Sequence, residues 1–277
     1  MNRLIILFLL LAFSHSWSFA QQELSPALQQ KTDSIISLES KGADSQTLLL
    51  AYEELALALV AEKQYKEALP WILKGLDVAE GENLEDQTFT LLHLAGYIFY
   101  YPLDSYEQSL EYLQRANALA ETLPVSPVYY LRNRSKLAEV LFFTGQIKEA
   151  LELQFDTNIL AEEREDLLCQ AVGLRNLGVF YFGQSQFESA NQFFDQSLAA
   201  IHQIEPQSIR DPILKWDLSL TYYNIVASQS GVHNAFSQDG NTDELRLAIA
   251  KAEQARNIAD SIGHVYGVAF SQGLKGQ

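Results

Sequence analysis

From residue 45 onward, large apolar side chains return at intervals of three and four, the spacing that gathers them on one stripe of an α-helix. Leu141, Phe142, Ala150, Leu151 and Leu153 around Thr144-Gly145 show the arrangement: two amphipathic helices joined by a tight turn. The pattern predicts a first helix near residues 24–39, ended by Gly42-Ala43-Asp44. Helix pairs then follow at about 45–80, 85–121, 126–163, 166–203 and 209–261. Turn signals separate them: Gly81-Glu82-Asn83, Pro124 with Pro127, Glu163-Arg164-Glu165-Asp166, and Pro206 with Pro212. The stretch 230–243, rich in Ser, Gly, Asn and Asp, reads as a loop insert in the last pair.

One short motif recurs through these pairs: a large apolar residue, two variable ones, a small residue, then usually an aliphatic one. It stands at Tyr65 to Leu69, Tyr106 to Leu110, Ile147 to Leu151, Phe187 to Asn191 and Leu245 to Ile249. Its small residues, Ala68, Ser109, Ala150, Ala190 and Ala248, are 41, 41, 40 and 58 positions apart. Seven residues further on comes Gly75, Ala116, Thr157, Ser197 or Ala255. Upstream, a leucine followed by a small residue recurs as Leu55-Ala56, Leu94-Ala95, Leu137-Ala138 and Leu177-Gly178, 13, 15, 13 and 13 residues before the small position. Small side chains at matched places let paired helices approach closely. One pair cannot bury its own apolar face, so neighbouring pairs must stack.

These residues resemble the tetratricopeptide repeat (TPR) family over about residues 45–261. The fourth unit is the nearest match, with Leu177-Gly178, Tyr181, Phe187, Ala190 and Phe194. The period is nearer 40 than 34, and the proline usual at the end of each unit is mostly missing; HEAT-like and armadillo-like repeats have similar periods. The resemblance implies an all-α, right-handed superhelical solenoid of about five helix-turn-helix repeats plus a partial sixth. It also implies a concave groove lined by the first helix of each pair. Carried over residue by residue, the groove positions are Leu50, Glu53, Leu57 and Val60; Phe89, Leu92, Gly96 and Phe99; Arg132, Ser135, Glu139 and Phe142; then Arg175, Val179 and Phe182. The binding set drawn from them is Phe89, Leu92, Phe99, Arg132, Ser135, Glu139, Phe142, Arg175, Val179 and Phe182. Aromatic side chains flanked by two arginines suit a peptide with apolar anchors and an acidic group. The same residues also fit simple packing between units. The basic carboxylate clamp of chaperone-binding relatives is absent, because Glu53, Leu57 and Gly96 stand where it needs Lys or Asn.

The first twenty residues have a different character. Met1-Asn2-Arg3 is a basic start, Leu4 to Phe13 is an apolar run, and Ser18-Phe19-Ala20 offers small residues before Gln21. This is the layout of a cleavable secretory signal, cut near Ala20-Gln21. Ten apolar residues are too few to span a bilayer, which takes about 20. The expected organisation is a signal at 1–20, an N-terminal helix or cap at 21–44, the array at 45–261, and the start of an incomplete repeat at 262–277. There, Val265, Tyr266, Val268, Phe270 and Leu274 lack a second helix. Either another element covers them or the chain continues into a longer protein.

Composition narrows the function further. Lys+Arg total 19 against Asp+Glu 35, a net charge of −16, which disfavours nucleic-acid binding. The only cysteine, Cys169, excludes an internal disulfide and a thiolate-rich metal site. Excluding His15 of the leader, no two of His93, His202, His233 and His264 share a helix turn, so no metal site and no cofactor are expected. Glu162 to Asp166 lacks the spaced ligands of a calcium loop. Asn133-Arg134-Ser135 matches a glycosylation acceptor but falls inside a predicted helix. No phosphate loop, nucleophile elbow or zinc-protease helix is present. An all-helical hydrolase would need carboxylates about 5–10 Å apart, and Glu53 and Glu139 lie two units apart. The expected protein is therefore exported, periplasmic or extracellular, and non-catalytic, with a protein or peptide as its partner. It resembles the sensing regions that precede a membrane helix and an output domain in bacterial signalling proteins. The alternative is a freestanding scaffold of the cell envelope.

Overall fold

The computed structural model describes residues 24–62, 64–101, 103–123, 127–204 and 212–237, with 243–244, 246–247, 249–251 and 253 beyond them. The expected leader, its cut site and the incomplete repeat at 262–277 lie outside the described residues. Within them run α1 (Pro26–Ser40), α2 (Ser45–Ala61), α3 (Tyr65–Gly81), α4 (Glu85–Tyr100), α5 (Tyr106–Ala120), α6 (Pro127–Phe143), α7 (Ile147–Glu163), α8 (Leu167–Gly183), α9 (Phe187–Ile201) and α10 (Pro212–Ser237). The described residues of 243–253 are helical too, and no described residue is in a strand. Two compact units divide at Gln146 and Ile147; α1–α6 belong to the first and α7–α10 to the second.

Local chemistry starts and stops these helices. Asp44 caps α2 by accepting from the Thr47 amide at 2.9 Å and the Thr47 hydroxyl at 2.7 Å. Asp166 caps α8 through the Cys169 amide at 3.0 Å. Ser25 caps α1, with Pro26 in the first turn, where its missing N–H costs nothing. The connections turn through a left-handed residue: Gly42, Asn83, Asp104, Gly145, Glu165 or Ser185.

In the first unit each helix packs on the next, and α4 also touches α6; in the second, α7–α8, α8–α9 and α9–α10 pack, and α8 touches α10. First helices thus stack on first helices, as alternating hairpins require. The joint inside a hairpin is set by glycine where the sequence pattern asks for a small residue. A Cβ on Gly96 would lie 2.6 Å from Leu113 Cγ, and one on Gly178 would strike the Phe194 ring. Leu113 and Phe194 are fully buried by this approach. A completely buried side chain of that size contributes about 1.5–3 kcal/mol. Helix α1 is held to the first hairpin by Glu39, which accepts from Tyr52 Oη at 2.7 Å and Lys74 Nζ at 2.7 Å. Lys74 in turn lies 4.6 Å from the Trp71 ring centroid. These contacts lower the Glu39 carboxyl from its usual range, while burial and Glu39 push the Tyr52 hydroxyl up to about 12.

One expected feature takes a different form. The loop insert predicted for 230–243 is helix from Ser230 to Ser237, the end of α10. Its small and polar letters conceal buried positions at helical spacing: Ile225, Val226, Gln229, Ser230 and Val232 are all buried. A Cβ on Gly231 would stand 3.3 Å from the Phe182 ring, so a small residue is what this helix needs to lie against α8. Tertiary contact outweighs the weak helix preference of Ser and Gly here.

Candidate functional site

Burial gives each first helix its register. Phe89, Leu91, Gly96 and Ile98 of α4 are buried, in the same sequence steps as Leu131, Asn133, Ala138 and Val140 of α6 and Ala171, Gly173, Gly178 and Phe180 of α8. Gly96, not Ala95, is thus the counterpart of Ala138 and Gly178. Ser109 agrees, donating from Oγ to the Gly96 carbonyl at 2.7 Å. The α4–α5 connection, 101–105, is two residues longer than 184–186 of α8–α9. Gly96 stands 13 residues before Ser109, where Ala138 and Gly178 stand 12 before Ala150 and Ala190, so the α4 face moves on by one residue.

The shift changes which side chains line the face of the first helices. Phe89 is the counterpart of buried Leu131 and Ala171 and packs between helices, and buried Leu92 falls one step off the line that Ser135 and Glu139 follow on α6. Phe99 is half-buried and stacks on Tyr112 of α5, with centroids 5.3 Å apart. The residues one step on, His93, Tyr97 and Tyr100, take the places that Ser135, Glu139 and Phe142 hold on α6. Lys136 of α6 reaches across to them: its Nζ lies 4.4 Å from the Tyr100 ring centroid and 5.6 Å from that of Tyr97. The same ammonium pairs with Glu139 Oε2 at 2.6 Å, and both side chains are largely shielded from solvent. Of the expected set, Arg132, Ser135, Glu139 and Phe142 therefore lie along this α4–α6 face. Arg132 and Phe142 are half-buried, Ser135 and Glu139 buried, and Phe142 meets Phe143 edge-on at 5.6 Å.

A polar network backs the face. Asn133 Nδ2 donates to the Leu113 carbonyl at 3.0 Å, which leaves its Oδ1 to accept. His93 Nδ1, 3.2 Å from that Oδ1, must then carry a proton. Burial, followed by the positive charge of Arg132, lowers the His93 pKa to about 4, with Lys136 adding to the effect. The ring is neutral at ordinary pH, and its Nε2 keeps a lone pair. Tyr97 is pushed well up, first by burial, with Arg132 pulling the other way. The charges of Arg132 and Lys136 thus act on the same small region, inside a chain of net charge −16. Glu53, the α2 counterpart of Ser135, has its carboxyl raised by burial.

Arg175, Val179 and Phe182 lie on α8, in the second unit. Arg175 and Val179 are buried, at 7% and 8% exposure, and Phe182 packs on Phe187 with centroids 5.5 Å apart. Behind them Asn176 donates to Gln154 Oε1 at 2.8 Å, and Ser197 to the Ala171 carbonyl at 2.6 Å. This face is more apolar than that of α4–α6.

Sequence spacing missed His93, Tyr97, Tyr100 and Lys136. Two signals pointed to them: the Leu-small pair of the second unit stands 15 residues from Ser109 where the others stand 13, and Phe89, His93 and Tyr97 follow one another at four-residue steps. No group of three or more His, Cys, Asp or Glu able to hold a metal occurs among the described residues, and Cys169 is buried. No described helix is long and apolar enough to cross a membrane.

No family model matches the chain, and neither does any curated protein. Solved structures do. BtubC (BKLC) from P. vanneervenii is similar at 15% identity and a TM-score of 0.58, covering 85% of this chain and 91% of its own. The Rap conjugation gene regulator of plasmid pLS20, solved in complex with the Phr* peptide, is similar at 13% identity and a TM-score of 0.50, covering 95% of this chain and 80% of its own. With the helix order and packing above, these neighbours show the fold: an all-α solenoid of TPR-like helical hairpins.

Proposed function

We propose that this chain is an exported, non-catalytic interaction module, the input region of a bacterial signalling protein, and that it binds a peptide on the α4–α6 face. The carrying observation is the placement of two cations, Arg132 and Lys136, against one carboxylate, Glu139, beside Tyr97 and Tyr100 in an otherwise acidic chain. Positive charge set on aromatic rings favours a ligand carboxylate flanked by apolar groups. The fold supports this reading, since first-helix faces of stacked hairpins offer a continuous surface, and the Rap neighbour was solved with a peptide bound. Export rests on the layout of residues 1–20 alone.

Selecting from a displayed random peptide library on the purified full chain tests the binding. Enriched peptides should carry an acidic side chain or free C-terminal carboxylate next to apolar residues. Arg132→Glu should weaken them about ten-fold or more without lowering the melting temperature. Enrichment indifferent to Arg132 moves the site elsewhere. Fusing residues 1–20 to a reporter active only outside the cytoplasm tests export; a silent fusion removes that part of the reading.

A further inference from the structure

We propose that the outward stripe of α7 is a docking surface for a basic amphipathic helix of a partner protein. Ile147, Leu151, Phe155 and Ile159 follow at four-residue steps, so they form one oblique row on the helix. Ile147, Phe155 and Ile159 are 38%, 39% and 56% exposed, and Leu151 is half-buried. They supply three of the seven exposed large apolar side chains among the described residues.

The equivalent row differs on the other second helices. On α3 it reads Tyr65, Leu69, Leu73, Asp77, on α5 Tyr106, Leu110, Gln114, Ala118, and on α9 Phe187, Asn191, Asp195, Ala199. The first residue of each row packs inward there, and the last is polar or small. Only the α7 row stays large and apolar to its outer end. Array packing therefore does not demand Ile159. Phe155 is also held in place: Phe193 of α9 meets its ring edge-on at 6.3 Å and itself stacks on Tyr181 at 5.2 Å. The row is a fixed feature about 18 Å long.

Its rim identifies the occupant. Glu152, Asp156, Glu162 and Glu163 are all exposed along it. Lys148, the one base on α7, lies 3.7 Å from Glu152 in an exposed pair that neutralises little of the rim. A straight row of four-step anchors matches the apolar face of another helix. Acidic edges favour Lys or Arg on that helix's flanks. A second copy laid on the stripe would set one acidic rim against another, which disfavours self-association. The surface shares no residue with the α4–α6 face and does not rest on the peptide-binding reading.

Three synthetic peptides of about 14 residues test it against the purified full chain by fluorescence anisotropy: a Lys-flanked helix with leucines at four-residue steps, its Glu-flanked twin, and a scrambled Lys/Leu peptide. The ordered Lys peptide should bind about ten-fold or more tighter than either control. Phe155→Asp with Ile159→Asp should abolish that preference. Glu152→Lys with Asp156→Lys, both exposed, should turn it toward the Glu twin even if the apolar variant fails to fold. Asp77→Lys on α3 should leave it unchanged, which separates the stripe from general acidity. Equal binding of the scrambled peptide, no response to the rim reversal, or self-association of the chain that Phe155→Asp removes would each overturn the proposal.

Discussion

The α4–α5 and α8–α9 hairpins are built on the same joint and present different faces. In both, a glycine on the first helix receives a large side chain from the second, Leu113 at Gly96 and Phe194 at Gly178. In both, a serine of the second helix donates to a first-helix carbonyl, Ser109 to Gly96 and Ser197 to Ala171. On the lined face they part. Where α4 carries neutral, buried His93 followed by Tyr97 and Tyr100, α8 carries Arg175, Val179 and Phe182. The joint constrains volume, because a helix pair closes only if the facing side chains fit. The face is constrained by far less, so its chemistry can differ from repeat to repeat.

The largest expected effect separates the two by pH. His93 ordinarily titrates near 6.5 and in the fold near 4, so the unfolded chain takes up a proton that the native one refuses. Its contribution is complete above about pH 6.5 and is lost as pH falls toward about 4, amounting to as much as about 3 kcal/mol. Urea unfolding of the wild type and of His93→Gln across this range should show a steeper acid loss for the wild type. Parallel curves would mean that His93 is not held neutral.

A somewhat smaller effect should show that the joints are equivalent. Gly96→Val and Gly178→Val each add methyl groups where a Cβ already collides, and each should cost about 1–3 kcal/mol by chemical denaturation. A harmless Gly96→Val would return the register to Ala95 and dismiss His93, Tyr97 and Tyr100 from the face. The smallest effect concerns the turns. Ser185, between α8 and α9, has φ +62° where Gly145, at the same place after α6, has +85°. Ser185→Gly should raise stability by about 0.5–1 kcal/mol, read as a higher melting temperature. A drop would show that the Ser185 side chain is needed there.

The helix pairs were legible because each carries its own signal, an apolar stripe plus matched small residues such as Ala190 and Gly178. The face of α8 was legible for the same reason, since three residues connect its hairpin and the spacing transfers directly. The α4 face was not, because the longer 101–105 connection moved Gly96 into the place the spacing assigned to Ala95. A stretch of Ser, Gly and Asn also concealed the end of α10, whose buried Gln229, Ser230 and Val232 are recognisable only once α8 and α9 lie against that helix.

The amino-acid order by itself determined the class of the molecule: helices, paired, repeated and stacked, in a chain of net charge −16. These follow from local periodicity and composition, which need no partner across space. Only the tertiary structure decided which side chains share a face. A helix turns 100° per residue, so a shift of one position exchanges Leu92 and Gly96 for His93 and Tyr97 on the face, and that rotation is settled by packing Gly96 on Leu113.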